Sequence, residues 1–393
     1  MTSLARKNLF NDIPRLLMAQ AGIVFAVSLV TIQIGILRGF LRSTSLMVQD
    51  SQADLWVASK DMVSLTLTLP LPYPQLNQAQ AVAGVERAEP LLLRNALWRD
   101  AKQRIAPVTV VGLDPQGKLL SPGALSETSL QQLSQPYSLI TDHINLGALN
   151  LKKVGDKAAI GSVQAKLLGL AHHIQSTAYD PLLFTSLASA KVYGSATLPR
   201  ANAAPQAPVL QPFGARDNIT YILVQAKPGE NLQLIKQRLN SALPDTQAYT
   251  RRELMQKIQS YWVQRTSIVF ILGLGAAVGI IVGVVIVSQI LYASVKDHLR
   301  EFGTLKAIGL SDRDTYAIVI EQALWMALLG YVPSMTLCLA LGAWTSVFKG
   351  VIILITPGMG IAIFGMTVVM CTTSALFALQ RVTQVDPAVV FSA

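Results

Sequence analysis

Imidazoles are the first groups to weigh for chemistry, because a histidine can ligate a metal or move a proton near neutral pH. The chain has four, His143, His172, His173 and His298, and their spacing suits no zinc site. His172 and His173 are adjacent, so on a strand they would face opposite ways. Both cysteines, Cys338 and Cys371, fall in long apolar stretches, so neither a thiolate ligand nor a disulfide outside the membrane is expected. No Gly-rich loop is followed by Lys-Ser or Lys-Thr, which removes that cradle for ATP phosphates. No cofactor is expected, and energy from ATP would have to come from a partner. Gly-x-Ser-x-Gly is missing too, so catalysis has no motif behind it and the chain is read as a non-enzyme.

Two features remain. Glu321 is the only acid inside the expected membrane spans, where an ionisable side chain is by default a functional candidate. It sits less than two turns into its stretch, which favours helix packing or an interfacial role over proton coupling. The second feature is Val295–Asp314 (VKDHLREFGTLKAIGLSDRD). Here Leu299, Phe302, Leu305 and Ile308 recur every third residue, with Lys296, Arg300, Glu301 and Lys306 around them. Gly309 ends the helix, and Ser311 with Asp314 offers a capping-box-like start for the next. Such a helix could press into a groove on a cytoplasmic partner or lie on lipid, and periodicity leaves both open.

The elements that must position this segment are membrane helices. Of 393 residues only 14% are charged and 51% are hydrophobic, against roughly 25% charged in an ordinary soluble domain. Leu16–Leu37 carries no charge, and as a helix it would be about 33 Å long, enough to cross the hydrocarbon core. Thr266–Val295 is longer still and should tilt or continue into water. Two more spans are expected at about 316–342 and 358–380, separated by Lys349 and the Pro357-Gly358 break, with Trp344, Phe348 and Lys349 at the outer interface. The first run is read as a retained signal anchor.

Residues 43–262 form one large insertion between the first and second spans, with 20 basic and 15 acidic side chains. Arg6, Lys7, Arg15, Lys296, Arg300, Lys306, Arg313 and Arg381 flank the spans on the other side, opposed by Arg38 and Arg42. The positive-inside rule then puts both termini in the cytoplasm and the insertion outside; with the chain taken as prokaryotic, that means a bacterial inner membrane. The net charge of +10 is dispersed, without the basic run of a nucleic-acid footprint, so no nucleic-acid partner is expected. Strands are expected at Ala53–Ala58, Ser64–Leu69, Pro107–Leu113, Ser138–Thr141, Ala165–Leu170 and Ile219–Gln225, and helices at Gln75–Ala83 and Glu230–Leu243. Leu198–Pro212 reads as an extended connection. The fold expected is therefore a four-span α-helical membrane protein with an α/β extracytoplasmic domain inserted between the first two spans. The insertion divides into flanks 43–115 and 216–262 around a middle of 116–215, after residues 1–42 and before residues 263–393. Gly273, Gly275, Ala276, Gly279 and Gly283 would allow close helix packing at the second span.

At the amphipathic segment the sequence resembles a known family. Arg300-Glu301-Phe302-Gly303, then Ala307-Ile308-Gly309, then Ile320-Glu321 look like the "R-E-I-G … A-x-G … E" signature of FtsX-domain permeases, the membrane subunits of MacB/LolC/FtsX-type (type VII) ABC transporters. Ala5–Leu9 is similar to the family's N-terminal "A-x-R-N-L", and Gln384–Val390 to its terminal "x-x-D-P-x-x-x-L". The layout most resembles DevC-type permeases, which pair with a separate ATPase and a periplasmic adaptor. The resemblance implies a homodimer in membrane lipid that moves its external domain by mechanotransmission when the partner ATPase, which holds the ATP, closes. It implies ATPase contact at Arg300, Glu301, Phe302, Gly303, Lys306, Ala307 and Gly309, a porter-like subdomain in the flanks and a Sabre-like one in the middle. An export permease is the leading expectation. An FtsX-like signalling permease that activates a cell-wall hydrolase shares the fold, and a secondary transporter is disfavoured by the lone intramembrane acid.

Overall fold

The computed structural model describes residues 13–120, 127–171, 174, 178–197, 204–297, 312–348 and 352–383. It divides into two compact units, Phe40–Arg265 and a second made of the remaining N-terminal and C-terminal segments.

The first unit begins in the last turn of helix α1 (Ile13–Thr44) and continues through the short α2 (Leu46–Gln49). Strand β1 (Leu55–Ser59) follows, then the two-residue β2 (Leu71–Pro72), α3 (Gln75–Gln80), and the long β3 (Val85–Arg99). An insertion of β4 (Ile105–Leu113), α4 (Glu127–Gln132), β5 (Ser138–Asp142), α5 (Asn145–Ala148), β6 (Lys157–Ile160), β7 (Val163–Ala171), β8 (Leu182–Ser186) and α6 (Leu187–Ser195) comes next. The chain returns through β9 (Asn218–Ile219), β10 (Tyr221–Ala226), α7 (Leu232–Ala242), β11 (Thr246–Thr250) and α8 (Arg251–Arg265).

Nine strands pair in the order β11-β1-β10-β3-β4-β8-β5-β7-β6, and β6 pairs again with β3. The first four are antiparallel and, with α3 and α7, make a ferredoxin-like β-α-β-β-α-β unit. Period-two alternation sorts its side chains. Leu55, Val57, Ile222 and Val224 pack with Ile235 and Leu239 of α7, while Trp56, Tyr221 and Leu223 enter a core on the opposite face. β3 changes partner along its length: Val85–Leu91 pairs with β10, and Leu92–Arg99 with β4. At the switch Thr220 takes over the exposed ladder groups, its N–H donating to Leu91 O (2.8 Å) and its hydroxyl accepting from Leu93 N (2.8 Å). The buried Glu89 carboxylate likewise accepts the N–H groups of Lys118 (2.8 Å) and Leu119 (3.0 Å). Beyond the switch, pairing of Trp98 and Arg99 with Ile160 and Ala159 closes six strands into a ring. Trp98 is buried in that ring's own core, its indole N–H donating to Leu149 O at 3.0 Å.

The expected strands at Pro107–Leu113, Ser138–Thr141 and Ala165–Leu170 appear in β4, β5 and β7. Ser64–Leu69 does not form a strand. Its alternation is real, but its backbone groups close a local turn, with Ser64 bridged to Leu67. Of Leu198–Pro212, residues 204–212 lack regular structure apart from an isolated bridge of Gln206 to Val163, and 198–203 lie outside the described residues.

The second unit holds the rest of α1 with α9 (Ser267–Asp297), α10 (Asp312–Phe348) and α11 (Pro357–Thr383). All four helices are long and apolar enough to cross a membrane. Ile23, Val27, Val287, Val319, Met326, Ile363 and Met370 are buried together among them. Gly275 of α9 lies against Gln33, Gly279 against Leu29 and Val30, and Gly283 against Ala26 and Met370, so these small residues serve close packing inside this chain. Gly273 faces open space. Before α11, Thr356 caps the helix, its hydroxyl accepting from Met359 N (3.3 Å), with Pro357 at the first helical position. Just upstream, Ile352 and Ile353 run against Gly39 and Gly35 of α1, where a side chain would collide with them.

Candidate functional site

The residues expected to meet an ATPase, Arg300, Glu301, Phe302, Gly303, Lys306, Ala307 and Gly309, all lie outside the described residues, as do His172, His173 and His298. The structure brings α9 to Asp297 on one side of them and starts α10 at Asp312 on the other. Glu321 falls in the membrane-crossing part of α10, half-buried beside the buried Gln322. His143 Nδ1 lies 2.9 Å from Asp142 Oδ1, and no cluster of His, Cys, Asp and Glu suited to a metal occurs among the described residues.

What the structure adds is the construction of the first unit where both of its chain ends leave for the spans. One end is the last turn of α1, the other is α8, which stops at Arg265 one residue before α9. Within the unit these two ends grip each other. Phe40 of α1 and Trp262 of α8 meet edge to face with centroids 5.4 Å apart, and Gln259 donates its amide to Ser45 Oγ at 3.0 Å. Tyr179, from the inserted ring, joins them: its ring lies 5.9 Å from Trp262 and its hydroxyl donates to Thr44 O at 3.0 Å. Tyr261 packs on Trp262 as well, at 5.8 Å. Edge-to-face aromatic pairs contribute about 0.5–1.5 kcal/mol each beyond area burial, so this collar is a stiff joint. Burial pushes the Tyr179 hydroxyl up to about 12, keeping it a neutral donor at any physiological pH.

Neither α8 nor the collar figures among the sequence expectations. Arg251–Arg265 is polar, and only Leu254 and Ile258 are buried, so no apolar stripe announces it. A signal was present in Thr250-x-x-Glu253, a capping box. Glu253 N donates to Thr250 Oγ1 at 3.3 Å and Thr250 N to Glu253 Oε2 at 2.9 Å.

Comparison with known proteins decides the family. Residues 16–242 match the model for the MacB-like periplasmic core domain, more than half of the chain, and residues 267–387 match the FtsX-like permease C-terminal. The chain belongs to the ABC transporter permeases of the MacB/FtsX type. The permease is a multi-pass membrane protein with an extracytoplasmic domain after its first span. An uncharacterized ABC transporter permease of Methanocaldococcus jannaschii is 26% identical over 131 residues, 32% of each chain. One from Mycobacterium tuberculosis is 33% identical over 111 residues, 28% of this chain and 31% of its own. The chain thus spans about a third of the length of the curated relatives it matches. Among solved structures, the periplasmic region of MacB from Actinobacillus actinomycetemcomitans matches with a TM-score of 0.35 at 10% identity, over 56% of this chain and 96% of that one. The extracellular domain of the noncanonic ABC-type transporter YknZ from Gram-positive bacteria matches with 0.32 at 12%, over 50% and 99%. Scores of that size do not bear on the fold.

Proposed function

We propose that this permease is the non-catalytic membrane subunit of an ABC exporter that works by mechanotransmission. A separate ATPase chain binds the ATP and docks on the segment between α9 and α10, through Arg300, Glu301, Phe302, Gly303, Lys306, Ala307 and Gly309. Two copies of the permease pair in a bacterial inner membrane with both termini cytoplasmic, and the extracytoplasmic domain works with a periplasmic adaptor. The flanks of that domain act as a porter-like subdomain and the inserted ring as a Sabre-like one.

The observation that carries this reading is the collar. On this reading, force that enters the domain through the last turn of α1 and through α8 meets at the joint of Phe40, Trp262 and Thr44. Tyr179 then couples that force to the inserted ring. A joint of this kind suits a domain moved through its two attachment points, and it would be superfluous in a domain that merely hangs from the membrane.

The test is to replace Phe302→Asp and Gly303→Asp and reconstitute the permease with its ATPase. The variants are expected to insert normally and to lose nucleotide-dependent movement of the extracytoplasmic domain. Movement indistinguishable from wild type would overturn the assignment of those residues.

A further inference from the structure

The loop between β1 and β2 has two contrasting sides. Met62 and Leu65 are each 2% exposed in the core that holds Trp56 and Tyr221, and Tyr221 donates its hydroxyl to Leu65 O at 2.7 Å. The tip is a tight turn, with Leu67 N donating to Ser64 O (3.1 Å) and Val63 N to Leu67 O (2.9 Å). The loop is therefore anchored. Yet Val63, Leu67 and Leu69 are 47%, 52% and 54% exposed. Fully burying one such side chain is worth about 1.5–3 kcal/mol, so an anchored turn that displays three of them forgoes a sizeable gain unless something apolar receives them.

Chain connectivity says what that is. Leu67 borders a cleft of about 400 Å³ together with Tyr179, Tyr261 and Trp262. Trp262 lies five residues before Ser267, where the second membrane-crossing helix starts, and its ring partner Phe40 belongs to the first such helix. Tryptophan and tyrosine concentrate where a chain passes from bilayer to water, so Trp262 and Tyr261 mark that level for this domain. The turn at Leu67 sits one cleft-width away from them. We propose that Val63, Leu67 and Leu69 insert into the interfacial layer of the lipid bilayer, so that the extracytoplasmic domain rests on lipid at this loop as well as hanging from its two attachments. Lys60 and Asp61 are the only charges in residues 60–70, and they cancel, so the contact is apolar and needs no anionic headgroup. The inference does not depend on docking of an ATPase.

The experiment uses the full chain in phosphatidylcholine nanodiscs with Cys338→Ala and Cys371→Ala. Leu67→Cys is labelled with an environment-sensitive fluorophore, and phosphatidylcholine spin-labelled near the headgroup serves as the quencher. Leu69→Cys is a second reporter, against misfolding of the first. Leu234→Cys on α7 is the reference: Leu232 of α7 shares a cleft with Arg251 at the start of α8, about 16 Å along that helix from Trp262. Blue-shifted emission at positions 67 and 69, quenched by the spin-labelled lipid while position 234 is not, is the expected result. Quenching no greater at 67 and 69 than at 234 would overturn the proposal. So would a blue shift without lipid quenching, which would mean that protein covers the loop.

Discussion

Trp262 is the centre of the collar. It touches Phe40, Tyr179 and Tyr261, three rings from three parts of the extracytoplasmic domain. Tyr179 adds the polar tie, donating to Thr44 O. Removing that hydroxyl by Tyr179→Phe should cost about 1 kcal/mol at neutral pH, read as a lowered melting temperature of the purified protein. The pH dependence has a definite sign. The Tyr179 hydroxyl stands at about 12 in the fold, against about 10 when unfolded. Its contribution is thus complete below pH 10 and fades as pH rises toward 12. The gap between wild type and Tyr179→Phe should therefore close across that window, and a gap that widens would show that the hydroxyl is not buried as described.

At the scale of elements, α1 runs so close to the segment before α11 that Gly39 has no room for a side chain. A methyl group at Gly39 would collide with the Ile352 carbonyl, whereas at Gly273 of α9 it would meet open space. Overpacking of this kind costs about 1–3 kcal/mol, so Gly39→Ala should lower thermal stability in detergent while Gly273→Ala leaves it unchanged or raised. Equal effects of the two would contradict the packing. The same scale shows what the sequence could and could not announce. The four spans were legible because each contains a long run without charge, and α7 because Leu232, Ile235 and Leu239 recur at helical spacing. β3 was not legible: Arg87, Glu89, Pro90 and Arg94 break its alternation, because the strand trades β10 for β4 midway and turns different faces inward on either side. Ser64–Leu69 misled in the opposite sense, since its alternating leucines separate an anchored side from a displayed one without any partner strand. The segment after α9 was singled out through its resemblance to a family motif and lies outside the described residues, whereas the collar was not legible, being built from rings far apart in sequence.

At the scale of the whole molecule, the proposed function has one chain couple the segment between α9 and α10 to its extracytoplasmic domain through two attachments joined by an aromatic collar. The most direct measurement is the distance between spin labels at Leu234→Cys on paired copies, reconstituted with the partner ATPase and recorded without nucleotide and with ATP trapped. In the otherwise wild-type chain that distance should change on trapping. In Trp262→Ala the ATPase should still bind and hydrolyse ATP, and the change should be lost. An undiminished change in Trp262→Ala, or none in the chain with its collar intact, would contradict transmission through the collar.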